Sequence, residues 1–470
     1  MTKYKRAVLL FSLTYTFAIC CSIFVTSFCP AADPQTASPM AAAGTSPAPA
    51  ATSRPDFGIW TRNSIQPPPA FEPIKLPPTT TQPGDGQTEA VYRAAIAWFD
   101  WAIEQVDKMA PPAEIAADRL IAGGNVYCGG SQGFMDELYG RAGGLSTITH
   151  WRGDRLEKND VLIAGLLTPR DEGNRTADLP NLANGDGRIN QAMVVHFASH
   201  RWPLMERLLE KARTKGWSNR VFIDTGAPAG ATWADVSLQQ MATVAMAWAF
   251  QGEVFAAATR KGKTLATLGS DCEPNGPKWD KSVEGKMLHP KYTLPPIPAG
   301  QIGKEYLRTC QKQVAQFLIA DQPRQVRLAA GRMAAKMQAG GSVFVVVGGH
   351  LHIQGAIIPR ELPNVIMYGR NWEWRPSILK KEDVFLHLGY LDYPRDMVKS
   401  ALAAGADAVT VSVAEGPTDE KRTHILGCWA NWDSTVNVPD YPVRILPSSG
   451  VVQTPQWYSL MAETLQKMKK

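Results

Sequence analysis

The chain has 470 residues, of which 44% are hydrophobic and 20% are charged, and its formal net charge is +6. A chain of this length and composition is expected to form two or three domains whose cores need no covalent cross-links. Its Lys and Arg residues form only short pairs such as Lys380-Lys381, so the basic patch typical of a nucleic-acid-binding protein is excluded.

The N-terminus has the features of an export signal. Three basic residues within the first six positions precede an apolar run from Ala7 to Phe28, and small residues suited to cleavage follow Cys29. We therefore expect residues 1–32 to be a signal peptide and the protein to be periplasmic or extracellular. An uncleaved signal is the alternative, because about 20 apolar residues can span a bilayer and would anchor the protein in the membrane.

The composition of the remaining chain predicts two linkers and two α/β units. Residues 33–87 are rich in Pro, Ala, Ser and Thr and are expected to be a disordered or extended linker. Helical patterning begins near Thr88, and helices and strands alternate over 88–270. Residues 271–303 contain many Pro and Gly, which predicts a second linker, and another α/β unit covers 304–470.

The two α/β units share a pattern of glycine pairs around a short apolar strand. In the second unit, the run from Val343 to Val347 lies between two such pairs, and its lack of polar alternation predicts a buried parallel strand. Landmarks recur in the same order, offset by 217 residues between Gly124 and Gly341 and by 223 between Asp160 and Asp383. The repetition predicts a duplicated unit.

Each unit is predicted to end in a helix headed by a serine. Ser237 is expected to be the N-cap of a helix that runs to about Arg260, and Ser448 precedes a helix from Gln456 to Met468. The first of these helices is apolar on every side, which is typical of a helix buried on all faces.

The layout and the segment Gly129-Gly-Ser-Gln-Gly-Phe-Met-Asp-Glu137, followed by Arg141-Ala-Gly-Gly-Leu145, resemble the sugar isomerase (SIS) phosphosugar-binding domain. The segment is similar to the sugar-phosphate turn of SIS proteins related to N-acetylmuramic acid phosphate etherase. The resemblance covers about residues 90–270 and 304–470, and in the second unit it rests mostly on layout.

The resemblance implies two flavodoxin-like three-layer α/β/α lobes with five-stranded parallel sheets. The lobes would pair within the chain as a pseudo-dimer, with a homodimer left open, and no cofactor or metal is implied. The ligand would be a phosphosugar or related carbohydrate derivative, and Glu137 would be the acid/base of an isomerase or lyase. Six residues are implied to bind the phosphosugar: Gly129, Gly130, Ser131, Gln132, Thr168 and Ser237.

The second unit departs from this pattern. Its first turn reads Gly348-Gly-His-Leu-His352, with no residue that matches Ser131 or Glu137. Its next loop, 389–395, has only tyrosine hydroxyls where the first unit has Thr168. We therefore expect the second lobe to be degenerate and to bind no phosphate.

Each candidate residue also has a simpler interpretation. Ser131 could be an ordinary helix cap, and Glu137 a solvated helix residue. A scaffold or sensor that keeps the fold without catalysis is thus the main alternative. His350 and His352, two apart, could bind one metal ion in a hydrolase, but only about 120 residues follow them, whereas an amidohydrolase barrel needs about 250.

Two further motifs are interpreted as structural. Asp224-Thr-Gly copies the active loop of an aspartic protease, but the chain has no second copy, so a turn is predicted. Four cysteines lie beyond the signal, without the C-x-x-C spacing of a zinc site, and one or two disulfides stay open. These are Cys128, Cys272, Cys310 and Cys428.

Overall fold

The computed structural model describes residues 86–169, 189, 191–270, 273, 275–320, 322–348, 360–370, 374–429 and 433–469. The predicted signal, residues 33–85 of the predicted first linker, His350 and His352 lie outside the described residues. All described residues belong to one compact unit, Glu72–Lys470. Within these ranges, no helix combines the length and the apolar character needed to span a bilayer.

Helices and strands alternate along both halves of the compact unit. The first half contains α1 (Gln87–Gln105), α2 (Ala110–Ile121), β1 (Val126–Gly130), α3 (Gln132–Leu138), β2 (Thr149–His150), β3 (Val161–Gly165), β4 (Met193–Ala198), α4 (Pro203–Lys215), β5 (Arg220–Asp224) and α5 (Trp233–Arg260).

The second half follows a similar order after one additional helix. It contains α6 (Gly276–Val283), α7 (Gln301–Ile319), α8 (Gln322–Gln338), β6 (Val343–Val347), β7 (Val365–Arg370), β8 (Val384–Leu388), α9 (Arg395–Ala403), β9 (Asp407–Ser412), β10 (Arg422–Leu426), β11 (Ser434–Val436), β12 (Ile445–Pro447) and α10 (Ser449–Met468).

Two five-stranded sheets organise these elements. The strand orders are β2-β1-β3-β4-β5 and β7-β6-β8-β9-β10, and all neighbouring strands in both sheets run parallel. Counted from the first strand of each sheet, both orders read 2-1-3-4-5, which is the flavodoxin-like order. The predicted fold class is therefore confirmed.

The second sheet shows how a lobe acquires three layers. Val345, Leu386 and Val409 belong to the main hydrophobic core. Val346 and Phe385, each one position away along a strand, instead pack with Val398 and Ala401 of α9 in a separate cluster. Because successive side chains of a strand point to opposite faces, helices cover this sheet on both sides.

Asp160 and Asp383, which are equivalent landmarks of the two repeated units in the sequence, have the same structural role. The Asp160 carboxylate accepts hydrogen bonds from the N–H groups of Asn125 (2.8 Å) and Glu157 (2.7 Å). The Asp383 carboxylate accepts from Ser342 (2.9 Å) and Lys380 (2.8 Å). Each aspartate thus links the start of the first strand of its lobe to the turn before the third strand.

The paired glycines before these strands are also equivalent. A Cβ atom at Gly124 would lie 1.9 Å from the carbonyl oxygen of Asn159, and one at Gly341 would lie 1.9 Å from that of Glu382. Only glycine allows these two backbone segments to approach so closely.

The lobes meet through a layer of long helices, and the main core extends across both lobes. All residues of α5 from Ser237 to Thr259 are buried, as are those of α10 from Ser449 to Thr464. The prediction that the helix ending near Arg260 is buried on every face is confirmed.

Two glutamates connect the lobes across this layer. Glu253 of α5 accepts hydrogen bonds from the N–H groups of Gly300 (2.6 Å) and Gly303 (2.9 Å) at the start of α7. Glu463 of α10 accepts from the N–H and the hydroxyl of Thr88, both at 3.1 Å, at the start of α1. The last helix of each lobe therefore caps the first helix of the other.

The predicted starts of the two last helices are wrong. α5 begins at Trp233, and its cap is Thr232, because Thr232 and Asp235 satisfy each other's backbone N–H groups in a capping box at 3.1 Å each. Ser237 lies inside the helix. α10 begins at Ser449 rather than at Gln456, so Ser448 is its N-cap position and heads the helix as predicted. The helix continues through Pro455, where it lacks one backbone donor.

The segment predicted to be a second linker carries regular structure. It contains α6, whose Trp279 is 8% exposed and donates a hydrogen bond from its indole N–H to the carbonyl of Thr267 at 2.8 Å. The ring of Trp279 also contacts the ring of Tyr441 at 5.2 Å between centroids. The connection between the lobes is thus packed against them.

We expect Asp160→Ala and Asp383→Ala each to lower the free energy of unfolding by roughly 2–4 kcal/mol, because each removes two hydrogen bonds from backbone N–H groups to a buried carboxylate. Urea denaturation of the two variants measures this loss. Asp392→Ala, at an exposed position, is the control and should change stability little. A similarly small effect at Asp160 or Asp383 would contradict the proposed links.

Candidate functional site

The carboxyl ends of β1 and β3 meet at one edge of the first sheet, where the sequence predicted a ligand site. The N–H of Ser131 donates to the carbonyl of Gly165 at 2.9 Å. The hydroxyl of Ser131 accepts a hydrogen bond from the N–H of Leu167 at 3.0 Å. Thr168 is the next residue, so the structure brings the two hydroxyl-bearing loops into contact.

The glycine pair that precedes Ser131 is required by this contact. Gly130 has φ +104°, and a Cβ atom there would lie 2.1 Å from the carbonyl oxygen of Gly165. A Cβ at Gly129 would lie 3.2 Å from the side chain of Leu162. The pair lets the turn lie directly against the end of β3, and it shapes the backbone rather than presenting a side chain to a ligand.

Ser131 is the N-cap position of α3, but its hydroxyl makes no capping bond to the helix. Ser131 is 5% exposed and Thr168 is 9% exposed. Both residues have further interactions beyond those described above. The side chain of Gln132 is exposed and donates to Asp136 at 2.7 Å along the same helix.

Glu137 lies at the other end of α3 and faces the second lobe. Its side chain is fully buried, so the interpretation of Glu137 as a solvated residue is wrong. Oε1 lies 3.4 Å from Nη2 of Arg141, and a Cβ atom at Gly450, in the first turn of α10, would lie 2.2 Å from the same oxygen. The carboxylate therefore occupies the joint between the lobes.

Burial raises the pKa of Glu137 to about 7, although Arg141 lowers it in part. A carboxyl group with this pKa exists in both protonation states near neutral pH, which an acid/base requires. However, six residues of helix separate it from Ser131 by about 9 Å along the axis. The structure thus gives Glu137 a suitable pKa at a position away from the turn.

Ser237 lies on α5, one of the central helices, and is 1% exposed. Thr243, further along α5, donates its hydroxyl to the carbonyl of Leu166 at 2.8 Å and so holds the loop that leads to Thr168. In the second lobe, Gln453 of α10 donates to the carbonyl of Gly389 at 3.0 Å, at the end of β8. Sequence reasoning missed this supporting pair because neither residue belongs to a motif.

The corresponding turn of the second lobe keeps the backbone geometry. The N–H of Gly348 donates to the carbonyl of Leu388 at 2.7 Å, as Ser131 does to Gly165. Gly348 has no side chain, so this position supplies no hydroxyl. The backbone arrangement is shared by the lobes, whereas the hydroxyl is present only in the first.

Asp224 is the last residue of β5, and its side chain bonds to the segment that follows the strand. Its Oδ1 accepts hydrogen bonds from the N–H groups of His200 (3.1 Å) and Gly226 (3.0 Å), which tie the loops after β4 and β5 together. The carboxylate therefore has a structural role at the same sheet edge.

The described histidines form no metal site. Burial lowers the pKa of His387 and of His424 to about 4, so both rings are neutral at pH 7. Among the residues that the structure describes, no group of three or more His, Cys, Asp or Glu is placed to hold a metal ion. Cys128, Cys310 and Cys428 are buried free thiols, so none of these three forms a disulfide.

Comparisons with known proteins give similarity at the level of structure. No family model matches the sequence, and no curated protein matches it. The C-terminal domain of glucosamine-fructose-6-phosphate aminotransferase from Francisella tularensis is 11% identical, with a TM-score of 0.45 over 82% of this chain and 94% of that one.

Two further solved structures have similar values. A proposed tagatose-6-phosphate ketose/aldose isomerase from Clostridium novyi NT is 10% identical, with a TM-score of 0.46 over 82% of this chain and 89% of that one. A proposed sugar-binding protein from Salmonella typhimurium LT2 is 8% identical, with a TM-score of 0.43 over 81% of this chain and 98% of that one.

We expect Gly130→Ala to destabilise the protein by more than about 3 kcal/mol, because the new methyl group overlaps backbone atoms of β3 in a conformation that favours glycine. Gly331→Ala is the matched control. Gly331 lies inside α8 with no atom within 4 Å of its Cβ position, so alanine should stabilise the helix by roughly 0.5–1 kcal/mol. Thermal unfolding distinguishes the two outcomes, and equal effects at both positions would contradict the close contact at Gly130.

Proposed function

We propose that this chain is a tandem SIS-type protein that binds a phosphosugar or a related carbohydrate derivative at the carboxyl edge of its first sheet. The observation that carries the proposal is the hydrogen bond between the N–H of Leu167 and the hydroxyl of Ser131, which brings the loops after β1 and β3 together. Ligands of open parallel sheets bind outside the carboxyl ends of the strands.

The chemistry of this edge is suited to an anionic group on a sugar. Ser131 and Thr168 supply hydroxyls, and the N–H groups of Gln132 and Gly133, at the first positions of α3, have no acceptor within the helix. Hydroxyl and backbone N–H donors are groups that bind phosphate oxygens. The second lobe has Gly348 at the position of Ser131, so we assign the ligand to the first lobe.

We further propose that the protein binds its ligand without acid-base chemistry at Glu137, in agreement with the scaffold or sensor alternative. The carboxylate of Glu137 faces Arg141 and the first turn of α10 rather than the turn at Ser131. An isomerase or lyase that uses Glu137 remains the competing prediction. We also propose export through residues 1–32, which N-terminal sequencing of the mature protein tests.

We expect hexose or hexosamine phosphates to bind the wild-type protein in calorimetry. Ser131→Ala and Thr168→Val should each weaken binding roughly tenfold to hundredfold, because each removes a hydrogen bond to a charged group. Ser412→Ala, at the same edge of the second sheet, is the matched control and should leave affinity unchanged. Equal affinity for the sugar without phosphate would contradict the assignment of an anion-binding turn.

The catalytic alternative predicts a separate result. If Glu137 moves a sugar proton, the wild-type protein incubated with a bound hexose phosphate in deuterated water will incorporate deuterium at the carbon next to the carbonyl. We expect no incorporation, because the carboxylate is enclosed in the lobe joint. Incorporation that is measured by NMR and is lost in Glu137→Gln would overturn the non-catalytic proposal.

A further inference from the structure

A cluster of buried charged and polar groups joins the two lobes beside α3. Nη2 of Arg141 donates to Oδ2 of Asp433 and to the hydroxyl of Ser449, both at 2.9 Å. Oδ1 of Asp433 accepts from the N–H of Ser449 at 2.8 Å. Arg141 is separated from Asp433 by 292 residues and from Ser449 by 308, so these bonds connect distant parts of the chain.

Glu137 completes the cluster from the same side as Arg141. The carboxylate fits against the backbone of α10 because Gly450 has no side chain there, and a methyl group at Gly450 would overlap both carboxylate oxygens. The position also suits an anion, since the N-terminus of a helix carries partial positive charge. Two carboxylates and one guanidinium therefore converge on the first turn of α10.

The cluster is buried, and one of its residues has an uncommon backbone conformation. Glu137 and Arg141 are fully buried, and Asp433 is 2% exposed. Asp433 has φ 65°, a left-handed conformation that is uncommon for residues other than glycine. Such conformations persist only where the surrounding contacts determine them.

We propose that Glu137, Arg141, Asp433 and Ser449 form a proton-sensitive interlock that holds the first turn of α10, in the second lobe, against α3, in the first. With Glu137 protonated, the buried charges of Arg141 and Asp433 balance. When Glu137 loses its proton, the cluster carries one uncompensated negative charge in a buried site. Buried charge without a partner is costly, so the interlock loosens.

Every element packed against Glu137 contributes to this balance. Arg141 favours the charged carboxylate, as does the indole of Trp248 on α5, whereas Asp433 and Asp136 oppose it. Tyr306 of α7 and Tyr390, which follows β8, face Arg141, and Cys310 of α7 lies beside Tyr306. Burial raises the pKa of both Tyr306 and Cys310, so these two groups stay neutral near pH 7.

The sign of the pH dependence follows from burial. The pKa of Glu137 rises from 4.5 to about 7 on folding, mainly through burial. The folded protein therefore keeps a proton that the unfolded chain has already lost between these two values. The contribution of Glu137 to stability is complete below pH 4.5 and is lost as the pH rises through about 7.

The test compares the unfolding of the full-length wild type and Glu137→Gln in urea at about pH 5.5 and about pH 8.5. The variant keeps the shape of the side chain but has no proton to lose. We expect the unfolding constant of the wild type, relative to the variant, to rise by up to about tenfold for each pH unit up to about pH 7. Glu206→Gln, on the exposed face of α4, is the control and should follow the wild type. A wild-type-to-Glu137→Gln ratio that is the same at both pH values overturns the proposal.

A second measurement needs no variant of Glu137. Hydrogen exchange of the wild type, corrected for the intrinsic pH dependence of exchange, should show that the amides of Ser449 to Val452 lose protection above pH 7. The amide of Val236, in the first turn of α5, should not, because a capping box holds that helix start. Unchanged protection at the start of α10 would also overturn the interlock.

Discussion

The structure depends on the burial of two helices, α5 and α10, over most of their length between the lobes. Buried helices need partners for the polar side chains that they carry, because an unpaired polar group in the interior is costly. Thr243, Gln453, Glu253 and Glu463 meet this requirement by bonding to backbone groups of strands and of helix starts. These bonds fix the carboxyl edges of both sheets and the starts of α1 and α7 relative to α5 and α10. The position of the candidate site therefore depends on the interface between the lobes as well as on its own loop.

Much of the fold could be predicted from the sequence because it depends on local patterns. The run from Val343 to Val347 forms the predicted strand, and the matched pair Asp160 and Asp383 have the same contacts in each lobe. The contact between the Ser131 and Thr168 loops was also predictable, since the ends of neighbouring parallel strands share one edge. Hydrophobic periodicity, glycine spacing and strand direction can all be predicted from short segments of the sequence.

The wrong predictions, on the start of α5 and on the exposure of Glu137, concern positions where several residues or contacts could have decided the local structure. Ser237 was a reasonable cap by residue type, but Thr232 and Asp235 form a reciprocal pair five residues earlier and start the helix there. Glu137 has the spacing of a solvent-facing ion pair with Arg141, four residues on. Its burial comes from Asp433 and the start of α10, about 300 residues away, and no local pattern reports such a contact. In the sequence, the burial of Glu137 was indicated by nothing more than a glutamate and an arginine four residues apart beside a predicted lobe interface.

The exchanged glutamate caps make the two halves of the compact unit depend on each other. Glu253 and Glu463 each serve the opposite half, so neither half would satisfy its own first helix if it existed alone. A free half would leave one carboxylate without its donors and would expose an apolar helix layer to water. Because both halves belong to one chain, each cap always has its partner at hand, and the reciprocal contact does not depend on protein concentration.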